Sequence, residues 1–253
     1  MSYGIHINNI KKINKIRKYG GTWVQIMYPN IFKINSMNVV LHLSYTINIA
    51  EKWNIFSPWI IQFIDEIFKA EKINAKFVVI HLGKQKDKLK EECYNNMLTT
   101  LYFVHQQTKK INIKILLETS AGVGSDLCYK IEDLIYFFNK IKNHPDKLFS
   151  DRFGICIDTC HIFVAGYDIS NYEIFCSYME MFNNLVGLNY IKLVHLNDSL
   201  NEVGSRIDKH ENLGDGYIGK GLIPIIKYFT KLNIPMLTET RKIKNLLFIK
   251  KAL

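Results

Sequence analysis

Residues 154–168 read GICIDTCHIFVAGYD. The run from Gly154 to Asp158 is short, apolar and β-rich, it ends on a carboxylate, and His161 follows three residues later. Seven other runs of the same kind recur along the chain: Tyr3 to His6, Thr22 to Met27, Asn38 to His42, Phe77 to His81, Ile113 to Glu118, Ile191 to His195 and Ile234 to Glu239. Between most of them lie amphipathic stretches with helical periodicity, at Ile10 to Lys18, Pro58 to Asn74, Lys88 to Lys110, Lys130 to Asn143, Tyr172 to Asn184 and Leu222 to Leu232. Strands alternating with helices give an α/β chain with a parallel sheet, and eight such strands predict a closed (β/α)8 barrel, the TIM barrel. The segment Tyr28 to Met37 is too short for a crossover helix with its loops, so the second βα unit is expected to be reduced. The last helix is expected to be short as well, because only 14 residues follow Glu239. No linker, repeat or low-complexity stretch divides the chain, and residues 1–253 are expected to form a single domain.

Six of these strands finish on or beside a residue that binds metals: His42, His81, Glu118, Asp158, His195 and Glu239. In a (β/α)8 barrel the C-terminal strand ends converge on one mouth, where active sites of this architecture are built. His161, Asp208 and His210 fall in the loops just beyond the sixth and seventh strands, on the same face. A single histidine at a strand end is more often a hydrogen-bonded structural residue. Five of the eight histidines, however, fall at strand ends or in these loops, where chance would scatter them over the molecule. His105, inside a long helix, and His144, at a helix end, behave as chance predicts, and His6 ends the first strand without a motif partner. Imidazole and carboxylate donors without thiolate suit zinc or manganese in a hydrolytic site.

The composition sets limits on what such a site can mean. A chain of 253 residues, 48% of them hydrophobic, buries roughly 70–75% of its unfolded surface. It needs no metal to hold its core, so a metal cluster calls for a functional explanation. Thirty-three Lys and Arg against 23 Asp and Glu give a formal charge of +10, which favours a polyanionic partner, nucleic acid or an anionic membrane. Five cysteines at positions 93, 128, 156, 160 and 176 follow no disulfide framework. Cys156 and Cys160 lack the second pair of a zinc ribbon and read as small core residues. The N-terminus carries no signal-like apolar stretch, and no run of about 18 apolar residues occurs. A soluble, intracellular protein is expected, cytoplasmic if bacterial and in the host cell or virion if viral.

In order along the chain stand LHLSYTIN at 41–48, VVIHLG at 78–83, LLETSAGVGS at 116–125, the stretch at 154–168, HLNDS at 195–199, GSRIDKHENLGDGYIG at 204–219 and LTET at 237–240. With these segments the chain resembles endonuclease IV, the metal-dependent apurinic/apyrimidinic endonucleases of base-excision repair. The resemblance implies three zinc ions, with manganese an alternative at one site. His42 and His81 would hold the first, Asp158, His195 and Glu239 the second, and Glu118 would bridge these two, while His161, Asp208 and His210 would hold the third. It further implies hydrolysis of the phosphodiester bond 5′ to an abasic nucleotide in duplex DNA by a metal-bridged hydroxide, leaving a 3′-hydroxyl and a 5′-deoxyribose phosphate. Glu118 and Glu239 are the expected catalytic residues, Glu239 also orienting the nucleophile, and the enzyme is expected to act as a monomer with no membrane partner.

Members of this family insert loop side chains into the minor groove and extrude the abasic nucleotide. Tyr45 matches the aromatic residue used there, against a plain reading as strand-end packing. The loop after the second strand, MYPNIFKINSM at 27–37, is short and lacks the basic and polar run of other members. Lys84, Lys86, Lys88 and Lys90 are candidates for phosphate contacts, although such a run is commonly a solvated face. Sugar isomerases and epimerases share the barrel and a metal site at strand ends, but have no need of His161 with Asp208 and His210. A catalytically silent DNA-binding protein is the remaining alternative, and intact donors speak against it.

Overall fold

The computed structural model describes residues 2–27 and 34–253. Strands β1 (Tyr3–His6), β2 (Trp23–Met27), β3 (Asn38–His42), β4 (Ala75–Ile80), β5 (Lys114–Glu118), β6 (Phe153–Asp158), β7 (Ile191–His195) and β10 (Met236–Thr238) are all parallel and close into a barrel. The seam is the pairing of β1 with β10, Ile5 standing opposite Thr238. Two further strands, β8 (Asp198–Ser199) and β9 (His210–Glu211), form a small antiparallel ladder beyond β7.

Around the barrel run α1 (Ile13–Lys18), α2 (Pro58–Lys72), α3 (Lys90–Thr108), α4 (Ile131–Lys142), α5 (Lys147–Ser150), α6 (Thr159–Val164), α7 (Tyr172–Leu185), α8 (Leu222–Lys231) and α9 (Lys244–Ala252). The barrel and its main helices agree with the sequence periodicity to within a few residues at each end. The reduced second unit was expected over Tyr28 to Met37, and residues 28–33 of it lie outside the described residues. Among the described residues no helix is long and apolar enough to cross a membrane. All five cysteines are free.

The apolar residues divide into two cores because a strand alternates its faces. Outward residues such as Val39, Leu41 and Ile157 pack under the helices in the larger core. A separate inner cluster, Trp23, Val40, Val79, Leu116, Cys156, Leu193 and Leu237, fills the barrel itself. Two positions further along, on the same inward face, stand Gln25, His42, His81, Glu118, Asp158, His195 and Glu239. β1 follows the same parity: Gly4 is the inward residue and His6 is two positions on. A Cβ at Gly4 would collide with the Trp23 carbonyl oxygen, so only glycine fits there. The barrel thus sets polar side chains from all eight strands around one mouth, on a floor of apolar ones.

Two short elements absent from the sequence reading complete the mouth. His161, expected in a loop, lies in α6, whose six residues are all buried. Asp158 caps that helix, its Oδ1 accepting from the His161 N–H at 3.0 Å. The β8–β9 ladder carries His210 back over the opening. Buried Asp198 anchors the chain that follows by accepting from the N–H groups of Gly214, Gly216, Ile218 and Gly219 at 2.9 to 3.2 Å. The close approach needs glycine at 216, where a Cβ would collide with the Ser199 carbonyl.

Candidate metal centre

The nine donor residues expected from the sequence all meet at the C-terminal mouth. Glu118, 1% exposed, stands centrally between two sets of imidazoles. Its Oε2 is 3.2 Å from His42 Nε2 and 3.6 Å from His81 Nε2, while Oε1 is 2.5 Å from His195 Nδ1. Asp158 turns its uncapped Oδ2 to the site, 3.8 Å from both His195 Nδ1 and His210 Nε2 and 3.9 Å from His161 Nε2. Asp208 lies between the last two histidines, Oδ2 at 3.1 Å from His161 Nε2 and Oδ1 at 3.0 Å from His210 Nε2. Glu239 Oε2 is 3.6 Å from His195 Nδ1 and 3.7 Å from His210 Nδ1.

Ligand atoms within 4.8 Å of one another form overlapping groups: His42, His81 and Glu118; His42, His195 and Glu239; Asp158, His161 and His210. His42 therefore sits at the boundary between two of them. Cys156 and Cys160 also come within this distance of site donors. Burial pushes the Cys156 thiol up to about 11 and raises that of Cys160. Both stay protonated, in keeping with their reading as core residues.

Neighbours orient several of the imidazoles. His42 Nδ1–H donates to the Leu43 carbonyl at 2.8 Å and His161 Nδ1–H to the Thr119 carbonyl at 2.7 Å, which turns each Nε2 toward the carboxylates of the site, Glu118 for His42 and Asp208 for His161. His195 is reversed, Nε2–H donating to Gln25 Oε1 at 2.7 Å and leaving Nδ1 inward. Gln25, fully buried, also donates from Nε2 to Glu239 Oε1 at 2.6 Å. Asn197 holds two carboxylates at once, donating from Nδ2 to Asp158 Oδ2 at 2.8 Å and to Glu239 Oε2 at 2.9 Å. The buried Nε2 atoms of His161 and His210 lie 3.1 and 3.0 Å from Asp208 oxygens but make no hydrogen bond of good geometry. Converging imidazole nitrogens beside carboxylates fit divalent ions, which would complete them.

The charge balance points the same way. Burial alone would raise the Glu118 carboxyl, but the His195 and His81 imidazoles hold it well below the usual range. Burial likewise opposes ionisation of Glu239, and His195 and His210 still bring it down to about 2. Burial would lower His161, His195 and His210, yet their acidic neighbours lift all three well above the ordinary imidazole value, Asp158 and Asp208 for His161, Cys156 with Glu239 and Glu118 for His195, and Asp208 with Cys160 for His210. Asp158 is the exception, raised by its complete burial. Without bound cations the carboxylates of the mouth favour the protonated forms of His161, His195 and His210, whereas burial lowers His81.

Gln25, Asn197 and His6 were not assigned to the site from the sequence. His6 is buried at the mouth, 3.5 Å from Gln25 Nε2 and 3.4 Å from Arg241 Nη2, and burial brings it down to about 4. The inward parity of β1 and β2 is the signal that marks His6 and Gln25. Tyr45 is 72% exposed on the rim, which sets aside the strand-end packing alternative. It shares with His81, His161 and Asp208 a side cleft of about 470 Å³ next to the mouth. Lys84 pairs with Asp126 at 2.6 Å, Lys86 with Glu51 at 2.8 Å, Lys88 with the same Glu51, and Lys90 with Asp133 at 2.6 Å. All four lysines are engaged within the protein, as the solvated-face alternative anticipates. His105 and His144 pack against Phe149, away from the mouth.

The xylose isomerase-like TIM barrel family model matches residues 30–235. The chain is 34% identical over 245 residues to the probable endonuclease 4 of Mycoplasma mobile, covering 94% of this chain and 80% of that one. It is 39% identical over 179 residues to the apurinic-apyrimidinic endonuclease of Caenorhabditis elegans, covering 70% of this chain and 43% of that one. Among solved structures, endonuclease IV from Thermus thermophilus matches with a TM-score of 0.77 at 23% identity, over 99% of this chain and 98% of that one. A D-tagatose 3-epimerase-like protein matches with a TM-score of 0.73 at 19% identity, over 99% and 95%. These structural likenesses speak for the fold, which nucleases and epimerases share, while the sequence matches separate the two. The chain belongs to the endonuclease IV family of the xylose isomerase-like TIM barrels.

Proposed function

We propose that this protein is a DNA-repair endonuclease that hydrolyses the phosphodiester bond 5′ to an abasic site in duplex DNA, leaving a 3′-hydroxyl and a 5′-deoxyribose phosphate. It acts inside the cell, as a monomer, with three divalent ions, zinc at all three or manganese at one. The observation that carries the reading is the convergence of nine imidazole and carboxylate donors on one mouth, with the buried Nε2 atoms of His161 and His210 facing Asp208 without a hydrogen bond of good geometry. His42 and His81 would hold one ion, Asp158, His195 and Glu239 a second, with Glu118 shared between them, and His161, Asp208 and His210 a third. When bound, the ions supply an acidified water and positive charge on the phosphate.

The protein's own groups do the rest. Glu118 presents one oxygen to His42 and His81 and the other to His195, an arrangement suited to a shared ligand. Glu239, fixed by Gln25 and Asn197, is placed to orient the attacking water. Three divalent ions outweigh four carboxylates, so the loaded mouth carries a positive excess matched to a phosphodiester. The side cleft beside Tyr45 offers room for an extruded sugar. An epimerase-like site with a single ion leaves His161, Asp208 and His210 without a task, and the basic balance of the chain favours DNA over a neutral sugar.

Incubation with a duplex carrying one abasic analogue, with zinc or manganese added, tests the proposal. Incision at the 5′ side is expected, and its absence rejects the reading. Metal analysis of the purified protein is expected to return three equivalents, and a single equivalent would favour the epimerase-like site.

A further inference from the structure

The first and last βα units meet at the barrel seam, and each brings cations without acids. Residues 7–19, INNIKKINKIRKY, hold Lys11, Lys12, Lys15, Arg17 and Lys18; residues 240–251, TRKIKNLLFIKK, hold Arg241, Lys242, Lys244, Lys250 and Lys251. No Asp or Glu occurs in either stretch. The direction of the chain sorts eight of these ten. Lys11 and Lys12 follow β1 directly, and Arg241 and Lys242 follow β10, so all four lie at the mouth. Arg17, Lys18, Lys250 and Lys251 lie toward the far ends of α1 and α9, Lys250 about 9 Å along the helix from Lys244.

The two stretches touch, Lys12 Nζ donating to the Arg241 carbonyl at 3.4 Å. Arg241 turns into the mouth, Nη2 standing 3.4 Å from His6 Nε2, and lines it with Glu239 and His42. Its backbone is held at φ +60°, a region that residues other than glycine seldom adopt. Lys11, Lys12, Lys15, Arg241 and Lys242 are all exposed. Among the described residues none of these five pairs with a carboxylate. By contrast Lys84, Lys86, Lys88 and Lys90 are all neutralised by acidic partners, and Lys244 is paired with Asp215 at 2.6 Å. Among the described residues the seam therefore brings five cations without carboxylate partners to one side of the mouth. Like charges held together and left unpaired repel one another, and a polyanion relieves that repulsion.

We infer that this seam grips the sugar-phosphate backbone of the duplex, with Arg241 taking a phosphate at the rim of the mouth and Lys11, Lys12 and Lys242 taking others alongside. The inference rests on the abasic-endonuclease reading and deepens it by naming the surface that holds the substrate. Arg241 decides between nucleic acid and an anionic membrane: it sits inside the rim beside Glu239, where a phosphate entering the mouth passes it and a flat lipid surface does not reach.

Two fourfold variants remove equal charge from opposite ends of the seam. One carries Lys11→Gln, Lys12→Gln, Arg241→Gln and Lys242→Gln; the other carries Arg17→Gln, Lys18→Gln, Lys250→Gln and Lys251→Gln. Binding to a fluorescent duplex with one abasic analogue is measured by anisotropy across a salt series. The slope of log K against log salt is expected to become shallower by about 3 to 4 in the mouth variant, at roughly 0.9 per phosphate contact, and to stay at the wild-type value in the far-end variant. The single variant Arg241→Gln is expected to lose about one unit of slope, which keeps the test decisive if the fourfold variant misfolds. Equal slopes in both fourfold variants, or a wild-type slope for both the mouth variant and Arg241→Gln, would overturn the inference. So would pelleting of the wild-type protein with phosphatidylserine vesicles that competing duplex does not reverse. A wild-type protein that binds no duplex at any salt rejects the endonuclease reading itself, a result distinct from a seam that fails.

Discussion

Gln25 reports whether the ring of inward residues at the mouth is a working assembly. Its Oε1 accepts the Nε2–H of His195 at 2.7 Å and its Nε2 donates to Glu239 Oε1 at 2.6 Å, so one amide fixes two of the proposed ligands. Gln25→Leu keeps nearly the same volume and removes both bonds. A buried polar group that loses its partner costs about 1–3 kcal/mol, more when charged, so the pair sets an upper bound of roughly 2–6 kcal/mol before the gain from a buried apolar side chain. Loss of an orienting partner of a metal-bound imidazole weakens metal affinity about 10- to 100-fold, or about 1.4 to 2.8 kcal/mol. That runs from just below the hydrogen-bond range into its lower part, as expected if part of the lost energy is recovered by leucine. The assay is zinc release at pH 7 against a graded chelator, alongside unfolding of the metal-free protein. One equivalent of zinc is expected to leave at a chelator concentration about 10- to 100-fold lower than in the wild type, with the other two retained. Gln25→Glu keeps an acceptor for His195 but sets a second carboxylate against Glu239, and it is expected to rescue only partly. Release of all zinc at the wild-type chelator concentration would refute the orienting role.

Glu118→Gln and Glu239→Gln are each expected to lower incision of an abasic duplex by several orders of magnitude, and near-normal turnover of the metal-loaded variants would contradict their roles. Metal uptake is expected to release protons at pH 7. His161, His195 and His210 have pKa values raised above 6.5 by their acidic neighbours, and a metal takes only the neutral imidazole, so affinity rises as pH rises through those values. Calorimetry in buffers of different ionisation enthalpy reads that release, and zero exchange would count against this charge balance. In the metal-free protein, the Glu239 carboxyl, held at about 2, contributes stability that is present above pH 4.5 and is lost as pH falls toward 2; acid titration of the unfolding free energy checks it. Asp198→Ala strips the acceptor from four N–H groups at residues 214–219, that of Ile218 buried and the others partly so, and is expected to destabilise the fold by about 3 kcal/mol, measured by denaturant unfolding. Tyr45→Ala, at an exposed side chain, is expected to leave stability within about 0.5 kcal/mol while weakening binding to an abasic duplex more than to an intact one.

How much of this was legible in the sequence depends on length scale. The eight strands could be read because each is an apolar run of several residues. The donors stood out because His, Asp and Glu are out of place at the ends of such runs. α6 could not be read: all six of its residues are buried, so it lacks the polar face that produces a helical period. β8 and β9 are two residues each, below any periodic signal. Asn197, between His195 and Asp198, looks like part of a turn, and only the fold shows it reaching Asp158 and Glu239. The ion pairs of Lys84, Lys86, Lys88 and Lys90 join loops and helices distant in sequence, so their neutrality was equally hidden.

Gln25 and His6 are a different case, because the information was present and lay in parity. Every residue of the inner cluster is followed, two positions on, by a residue of the mouth: Trp23 by Gln25, Val40 by His42, Val79 by His81, Leu116 by Glu118, Cys156 by Asp158, Leu193 by His195 and Leu237 by Glu239. The spacing is the period of a strand, so placing the apolar floor also places the donors above it. A search for metal-binding residue types finds the ones that hold charge and passes over the amide at the same height. Inserting one residue between Trp23 and Gln25 would turn the amide outward under the helices and free both His195 and Glu239. The seam adds the complementary point. β1 to β4 bring the ring only His6, Gln25, His42 and His81, without a carboxylate, so the seam is where the acid-free arc meets Glu239 of the neighbouring β10.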